Sequence, residues 1–428
     1  TSMPCALGDD ESIPVARYGC SNNGRMKTTY RIGLGHRYGR AMQTVAGVHY
    51  NFSLPNAFWA FLLRKQNRLD DLQNFKNEYY FRLIRNFRRH YWLLIYLFGA
   101  SPALCKSFVD GKPHGLDTMA DGHTLYLPHA TSLRMGDLGY QSQVQESLYV
   151  CYDNVRSYVK SLCCAITMPH PKYDAIGLKD AAGEFKQLNT SMLQIENEFY
   201  SAIRPKRTAR PGETALTALQ NRGVEYIEVR CLDVNPDSPL GFTPEQVYFL
   251  DTFLLYCALK DSPNTNPEEA KLILNNQKAV VNRGREPGLR LQHAEHGEIE
   301  AKAWANDLFD NMHAAAELLD ASQGGENHRA ALRTQRSKVE DSSLTPSAQV
   351  LATLQQTPCS FGEYALDLAQ QHDKTLREQG LDERTYHRML EMSDESLAEQ
   401  QAIEENSAED FDRFVADYYK QYQNCSGC

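Results

Sequence analysis

The segment formed by residues 43–55 constrains the fold of this chain more than any other stretch. From position 48 to position 54, apolar and polar residues alternate strictly. Successive side chains of a β-strand point to opposite faces, so this pattern predicts a strand with one apolar and one polar face. The apolar residues are Val48, Tyr50, Phe52 and Leu54, and the polar ones are His49, Asn51 and Ser53. The polar face continues back through Gln43 and carries no Lys or Glu, which favours ligand binding over simple solvation.

A second strand of the same kind is predicted at residues 223–233. It places Glu228 and Arg230 on one face together with Tyr226, and the Asn235-Pro236 step then ends the strand. A histidine on one strand and a glutamate on another can hold a divalent cation, and a neighbouring arginine can clamp a phosphate. For either strand alone, a cross-strand ion pair and a hydrogen-bonded buried histidine remain the simpler interpretation.

Composition narrows the class of protein. The 428 residues carry a net charge of −9, so non-specific binding to nucleic acid is not expected. The longest apolar run, residues 91–100, is far shorter than the roughly 20 residues of a membrane-spanning helix. Eleven cysteines without a signal peptide indicate a reduced, cytoplasmic protein. Cys425 and Cys428 have the spacing of a redox motif, but we interpret them as part of a frayed tail without function.

Two regions are expected along the chain. Residues 1–240 form a catalytic sheet region with inserted helices, including a short basic helix at 27–38 and helices within 57–98. Residues 241–428 form a mostly helical region packed on it, with acidic, exposed helices from about residue 380.

Two neighbouring segments are expected to contribute polar groups. Residues 192–200 alternate like a strand, and residues 203–212 are expected to form a basic loop. The loop carries four cations, Arg204, Lys206, Arg207 and Arg210. They are suited to bind a triphosphate, although a solvated surface loop is the commoner outcome. No glycine-rich phosphate loop is present in the sequence, so a nucleotide would be held by metals and side chains.

Several motifs in the same order resemble the proteobacterial type of glutamate–cysteine ligase. They occupy residues 42–55, 96–102, 126–134, 193–198, 203–207 and 224–230. The resemblance runs from the first residues through at least Gly325 and is loose in the acidic tail. It implies an α+β fold in which a glutamine synthetase-like antiparallel sheet forms an active-site bowl, flanked by helices, with a helical C-terminal part.

The resemblance also implies a reaction and its participants. ATP activates the γ-carboxylate of glutamate as a γ-glutamyl phosphate, and the amine of cysteine then attacks it, which is the first step of glutathione biosynthesis. Mg²⁺, or Mn²⁺ in its place, is the expected cofactor. The expected partners are the small molecules glutamate, cysteine and ATP, with no nucleic acid and no membrane, and the expected state is a monomer.

Site residues follow from the resemblance position by position. His49 and Glu228 match metal ligands, and Arg230 matches an arginine that contacts the transferred phosphate and hence ATP. Arg134 matches an arginine of the amino-acid site that also serves catalysis. The remaining matches line the substrates, and they are Tyr30, Gln43, Asn51, Tyr140 and Tyr200.

One departure from the family leaves alternatives open. Relatives carry a further N-terminal segment with acidic metal ligands, whereas this chain opens at Thr1, so we expect half of a metal site and an N-terminally incomplete sheet. Reduced activity and stability are therefore expected for residues 1–428. The alternatives are a catalytically incomplete scaffold and a related ligase that uses another amine acceptor.

Overall fold

The computed structural model of this protein describes residues 1–138, 143–407 and 409–423. The helices of the first half are α1 (Asn22–Tyr38), α2 (Asn56–Lys65), α3 (Leu72–His90), α4 (Trp92–Phe98), α5 (Gln143–Glu146), α6 (Val155–Thr167), α7 (Pro171–Asp174) and α8 (Ala215–Arg222). The second half is mostly helical, as predicted: α9 (Pro244–Leu259), α10 (Pro267–Arg283), α11 (Ala301–Gln323), α12 (Asn327–Glu340), α13 (Pro346–Gln356), α14 (Phe361–Gln379), α15 (Glu383–Glu405) and α16 (Phe411–Gln423).

The strands form small antiparallel sheets. They are β1 (Val48–Phe52), β2 (Ala103–Cys105), β3 (Asp117–Thr118), β4 (Thr124–Tyr126), β5 (Ile203–Lys206), β6 (Tyr226–Leu232), β7 (Arg290–His293) and β8 (Gly297–Glu300). Their orders are β1-β6-β5, β2-β4-β3 and β7-β8. Helices thus flank antiparallel strands, and the predicted α+β class is confirmed. The β7–β8 hairpin was not predicted.

The central sheet has the two faces that the alternation predicts. Tyr50 pairs with Val229, Asn51 with Glu228 and Phe52 with Ile227. Ile227 and Val229 are fully buried in the largest core cluster, which leaves the residues between them on the other face.

An irregularity interrupts this pairing next to His49. Between the Val48–Leu232 pair and the Tyr50–Val229 pair, β6 advances three positions while β1 advances two. The extra residue therefore belongs to β6 and forms a bulge at residues 230–231. Bulges bend a strand and re-aim its side chains, so this one influences where Arg230 points.

The main core joins both halves of the chain. It contains residues of α3 and α4 together with residues of α9 and α11, such as Phe87, Leu94, Phe253 and Trp304, all buried. The sheet packs its apolar face against this core. The helical predictions for 57–98 and for the later helices are confirmed, while the proposed boundary at residue 240 stays a prediction.

The strand predicted at residues 192–200 is wrong, whereas the helix predicted near residues 27–38 is confirmed with an earlier start. Residues 192–200 do not form a strand, because the buried Glu198 carboxylate accepts a hydrogen bond from the backbone N–H of Gln194 at 2.6 Å and closes a turn. The helix predicted at 27–38 begins earlier, at Asn22, because the Ser21 hydroxyl caps it by accepting the N–H of Gly24 at 3.1 Å.

Within the described ranges, no helix is both long enough and apolar enough to cross a membrane. Cys425 and Cys428 lie outside the described residues.

Lys338 of α12 provides a pH-dependent contribution to stability. Its ammonium lies 3.4 Å from the carbonyl oxygen of Leu97 and 5.6 Å from the ring centroid of Phe98. Burial lowers the pKa of Lys338 from its ordinary 10.5 to about 8. Between these two pH values the unfolded chain binds more protons than the folded one, so the free energy of unfolding rises with pH across this range.

We therefore expect Lys338→Met to stabilise the fold at pH 7 by on the order of 1–3 kcal/mol. The gain should shrink towards pH 10, where the folded wild type no longer holds the charge. Urea unfolding at both pH values measures it, with Lys374→Met, whose side chain is 76% exposed, as the control. A gain that is the same at both pH values would contradict this explanation.

Candidate active site

A cavity of about 420 Å³ lies over the polar face of the central sheet. All three strands contribute to it: His49 from β1, Glu228 and Arg230 from β6, and Arg204 and Lys206 from β5. The two-residue period of a strand places these side chains on one face while their neighbours enter the core. Residues far apart in sequence are thereby gathered around one space.

The charge of this cavity is opposite to that of the whole chain. Among the described residues that line it, five side chains are cationic and one is a carboxylate; the cations are Arg31, Arg134, Arg204, Lys206 and Arg230, and the carboxylate is Glu228. A concave site with this excess of one sign attracts ligands of the opposite sign. The cavity is thus suited to a ligand that carries several negative charges, within a protein whose net charge is −9.

Glu228 is the anionic centre of the cavity. One of its oxygens lies 3.6 Å from Nδ1 of His49, and the other accepts a hydrogen bond from Nη1 of Arg230 at 2.9 Å. Burial acts to raise the pKa of Glu228, but the hydrogen bond from His49 and the charges of Lys206 and Arg230 outweigh it and hold the pKa well below its ordinary value. The carboxylate is therefore ionised at neutral pH.

His49 and Glu228 offer one nitrogen and one carboxylate oxygen to a metal. Mg²⁺ is commonly held by one or two carboxylates and completes its shell with water and substrate phosphates. This pair therefore fits a cation that a bound nucleotide shares. In the described part of the chain, the only group of three potential ligands lies elsewhere, on the β7–β8 hairpin, and consists of His293, Glu295 and His296.

Arg134 reaches the cavity from a buried network. Its side chain is 3% exposed, and its Nε donates to the fully buried carboxylate of Asp233 at 2.6 Å. Gly47 permits this position, since a Cβ there would lie 2.8 Å from Nη1 of Arg134. The Nη2 atom is buried and has no hydrogen-bond acceptor, although Arg134 lines the cavity. Asp233 thus fixes one side of the guanidinium and leaves the other available to a ligand.

Arg204 and Lys206 are anchored more deeply than residues of a surface loop. Arg204 is buried and donates through Nη2 to the carbonyl oxygen of Asn197 at 2.9 Å, while its Nε has no partner. Burial, followed by the charge of Arg230, lowers the pKa of Arg204; burial also lowers the pKa of Lys206. These crowded cations are stabilised by an anion placed among them.

Of the other residues predicted to contact the substrates, only some line the cavity. Tyr30 and Tyr200 line the cavity, and burial followed by the charge of Glu198 raises the pKa of Tyr30. Asn51 lies opposite Glu228 in the sheet but is exposed, and it is not among the lining residues. Gln43 lies in a 3₁₀ turn, where its amide donates to the carbonyl oxygen of Arg31 at 3.1 Å. Tyr140 lies outside the described residues.

Sequence reasoning did not identify Arg31 or Asp233, and it named Arg204 and Lys206 only as two of four loop cations that could contact a triphosphate. The alternation Ile203-Arg204-Pro205-Lys206 was a usable signal, because it forms β5 and turns two of the four loop cations towards the cavity. Of the other two, Arg207 donates to the carbonyl oxygen of Gly223 at 2.7 Å and Arg210 is exposed. The sequence around Asp233 did not indicate its role, because that role depends on partners about 100 or more positions away.

Comparison with known proteins agrees with this geometry. The family described as glutamate-cysteine ligase matches residues 1–280. A glutamate–cysteine ligase of Saccharophagus degradans is 58% identical over 425 residues, which are 99% of this chain and 80% of that protein. One of Pseudomonas putida is 50% identical over 417 residues, which are 97% of this chain and 79% of that protein.

Solved structures give the same result for the fold. The crystal structure of a glutamate–cysteine ligase from Francisella tularensis, in complex with AMP, matches with a TM-score of 0.91 and 36% identity, covering 99% of this chain and 82% of that one. A bifunctional glutathione synthetase from Pasteurella multocida shares the fold, with a TM-score of 0.63 and 23% identity over 87% of this chain and 41% of that one. The chain therefore belongs to the glutamate–cysteine ligase family.

Proposed function

We propose that this protein joins the γ-carboxylate of glutamate to the amine of cysteine at the expense of ATP. The observation that carries the proposal is the cavity in which five cationic side chains surround one carboxylate. Membership of the family supports the same activity, and the AMP bound to the Francisella tularensis relative supports a nucleotide substrate.

The reaction places several negative charges together, and the cavity offsets their repulsion. An oxygen of the γ-carboxylate attacks the γ-phosphorus of ATP, the bond to the bridging β–γ oxygen breaks, and ADP leaves. The cysteine amine then attacks the acyl carbon, phosphate leaves and the amine nitrogen loses a proton. Fixed cations aimed at the transferred phosphoryl group stabilise such a transition state, which is the role we assign to Arg230 with Arg204 and Lys206.

His49 and Glu228 would hold the divalent cation, Mg²⁺ or Mn²⁺, which supplies charge neutralisation to the nucleotide phosphates when it is bound. Arg230 orients the Glu228 carboxylate from the other side, through the 2.9 Å hydrogen bond. The ionised state of Glu228 at neutral pH suits this role, since a protonated carboxyl group would be a poor ligand.

Arg134 is assigned to the amino-acid site because its unpaired Nη2 can pair with a substrate carboxylate. Tyr30 and Tyr200 would form the wall beside the amino acids. Gln43, Asn51 and Tyr140 stay predictions for the same site. The proposal also includes action in the cytoplasm as a monomer, without nucleic acid or membrane partners.

The test is to incubate the chain with glutamate, ATP and Mg²⁺ and to measure ADP and dipeptide with and without cysteine. We expect ADP release to depend on cysteine and to equal dipeptide formation. Serine, which differs from cysteine by one atom, serves as the control acceptor. ADP release that ignores cysteine, or equal use of serine, would overturn the assigned acceptor.

Arg230→Lys is expected to lower kcat by on the order of 10²-fold, because an ammonium group cannot reproduce the planar fork of a guanidinium at a phosphate. The matched control is Arg210→Lys, in an exposed part of the neighbouring segment, which should leave kcat unchanged. Steady-state ADP release with saturating substrates measures both. A kcat of Arg230→Lys close to that of the wild type would remove Arg230 from the phosphate site.

A further inference from the structure

A second cavity, of about 410 Å³, lies beside the active-site cavity. The two share Tyr200, Ser201, Ala202 and Gln277 in their walls. Ile203 lines the second cavity, whereas the next residue along β5, Arg204, lines the active-site cavity. The two spaces therefore lie on opposite faces of the strand.

The walls of the second cavity are mainly apolar. Six aliphatic or aromatic side chains contribute: Leu148, Val150, Phe199, Ile203, Ile273 and Leu274. Tyr91, Tyr149 and Tyr152 add three further rings. Small-molecule sites typically combine such a surface with a small number of polar groups that fix the orientation of the ligand.

Arg88 of α3 supplies the polar group. The carbon of its guanidinium lies 4.3 Å from the ring centroid of Tyr152, and its Nη1 is buried without a hydrogen-bond acceptor. Lys271 of α10 is a second cation in the wall, and no acidic side chain occurs among the described residues that line this cavity. A buried N–H of a charged group without an acceptor is costly, so an anion at this place is stabilising.

The neighbouring arginines of the same helix show that Arg88 is exceptional. Arg85 donates to the carbonyl oxygens of Tyr152 and Asp153 at 3.1 and 2.8 Å. Arg89 is paired with Glu269 at 2.6 Å. Both hold the fold together through acceptors of the protein itself, whereas the Arg88 guanidinium stacks on a ring and keeps Nη1 unpaired.

We infer that this cavity binds a small carboxylic acid with an apolar or aromatic body, whose carboxylate pairs with Arg88. A carboxylate matches the guanidinium fork and neutralises one positive charge, while the apolar body covers the aliphatic and aromatic walls. A phosphate group fits less well, because its greater charge would have to be satisfied by two cations in mainly apolar surroundings.

The test uses 4-phenylbutyrate as the probe and 4-phenylbutanamide as its uncharged counterpart, titrated calorimetrically into the full chain. We expect the acid to bind at least tenfold more tightly than the amide. Arg88→Met should weaken binding of the acid at least tenfold, and Arg88→Lys should weaken it less. Ala270→Phe, which fills the cavity from α10, should abolish binding. Arg64→Met, on the exposed surface of α2, is the control and should bind like the wild type.

Three outcomes would overturn the inference: no binding at millimolar concentration, equal affinity for acid and amide, or unchanged affinity in Arg88→Met. The last would place the acid in the cationic active-site cavity instead. Thermal melting shows whether each variant is folded. If Arg88→Met is unfolded, the binding measured for Ala270→Phe decides whether the acid occupies this cavity. The titration needs neither ATP nor amino acids, so its result is independent of the proposed reaction.

Discussion

Replacing Glu228 with glutamine is expected to lower kcat for cysteine-dependent ADP release by on the order of 10²–10³-fold. The substitution keeps the shape of the side chain but removes the charge that faces His49 and Arg230. Glutamine is a weak ligand for Mg²⁺, and Arg230 loses its anionic partner, so both the metal and the phosphate contact would be misplaced. Turnover at several Mg²⁺ concentrations, with nucleotide binding measured separately, checks this expectation.

Glu225→Gln is the matched control for Glu228→Gln. Glu225 immediately precedes β6, is exposed and accepts a hydrogen bond from the backbone N–H of Thr208 at 3.0 Å. It lies on the opposite face of the strand from the cavity, so its loss of charge should leave kcat unchanged. Near-normal turnover of Glu228→Gln at saturating Mg²⁺ would show that Glu228 does not contact the metal.

The second large effect is expected on stability. Asp233 is fully buried and binds Arg134 at 2.6 Å. It also accepts hydrogen bonds from the backbone N–H of Ala100 at 2.8 Å and from the hydroxyls of Ser101 and Ser132 at 2.7 and 3.0 Å. Removing one partner of a buried ion pair leaves an uncompensated charge, which typically costs 3–5 kcal/mol. We expect Asp233→Ala to lower the free energy of unfolding by about that amount.

Urea unfolding of Asp233→Ala and of Asp237→Ala measures this difference. Asp237 is exposed and only four positions away, so its removal should change the free energy of unfolding by less than about 0.5 kcal/mol. Asp233→Asn preserves the shape and tests the charge alone; it should fold and raise the KM for glutamate, because Arg134 is held less firmly. A loss below about 1 kcal/mol in Asp233→Ala would mean that water solvates Arg134 in place of Asp233.

The side of the sheet on which each residue of β1 and β6 lies was predictable, because it depends only on the local sequence. The two-residue period of a strand and the apolar or polar character of each residue placed Ile227 and Val229 in the core and Glu228 on the opposite face. The resemblance to the family assigned His49 and Glu228 to one metal site, and their 3.6 Å separation is consistent with that assignment. The order of motifs along the chain also identified the family correctly.

Residues 192–200 show where local patterns fail. Their alternation resembles that of β1, but Glu198 is fully buried between Arg37 at 2.9 Å and the hydroxyl of Tyr38 at 2.7 Å. A buried carboxylate needs such partners, and the backbone turns to provide them. These two partners in α1 lie about 160 positions away. The sequence of the segment therefore could not indicate that a turn would form instead of a strand.

The sequence by itself determined the α+β class, the two-faced strands of the sheet and membership of the ligase family, because short-range periodicity and ordered motifs carry that information. The tertiary structure decided which polar residues act together: it placed Arg204 and Lys206 in the cavity and Gln43 outside its lining, and it joined Arg134 to Asp233. The physical reason is that charge pairing and burial are properties of three-dimensional neighbourhoods. The residues that line this cavity come from α1, three strands, α10 and the segments between them, and they lie up to about 250 positions apart in the chain.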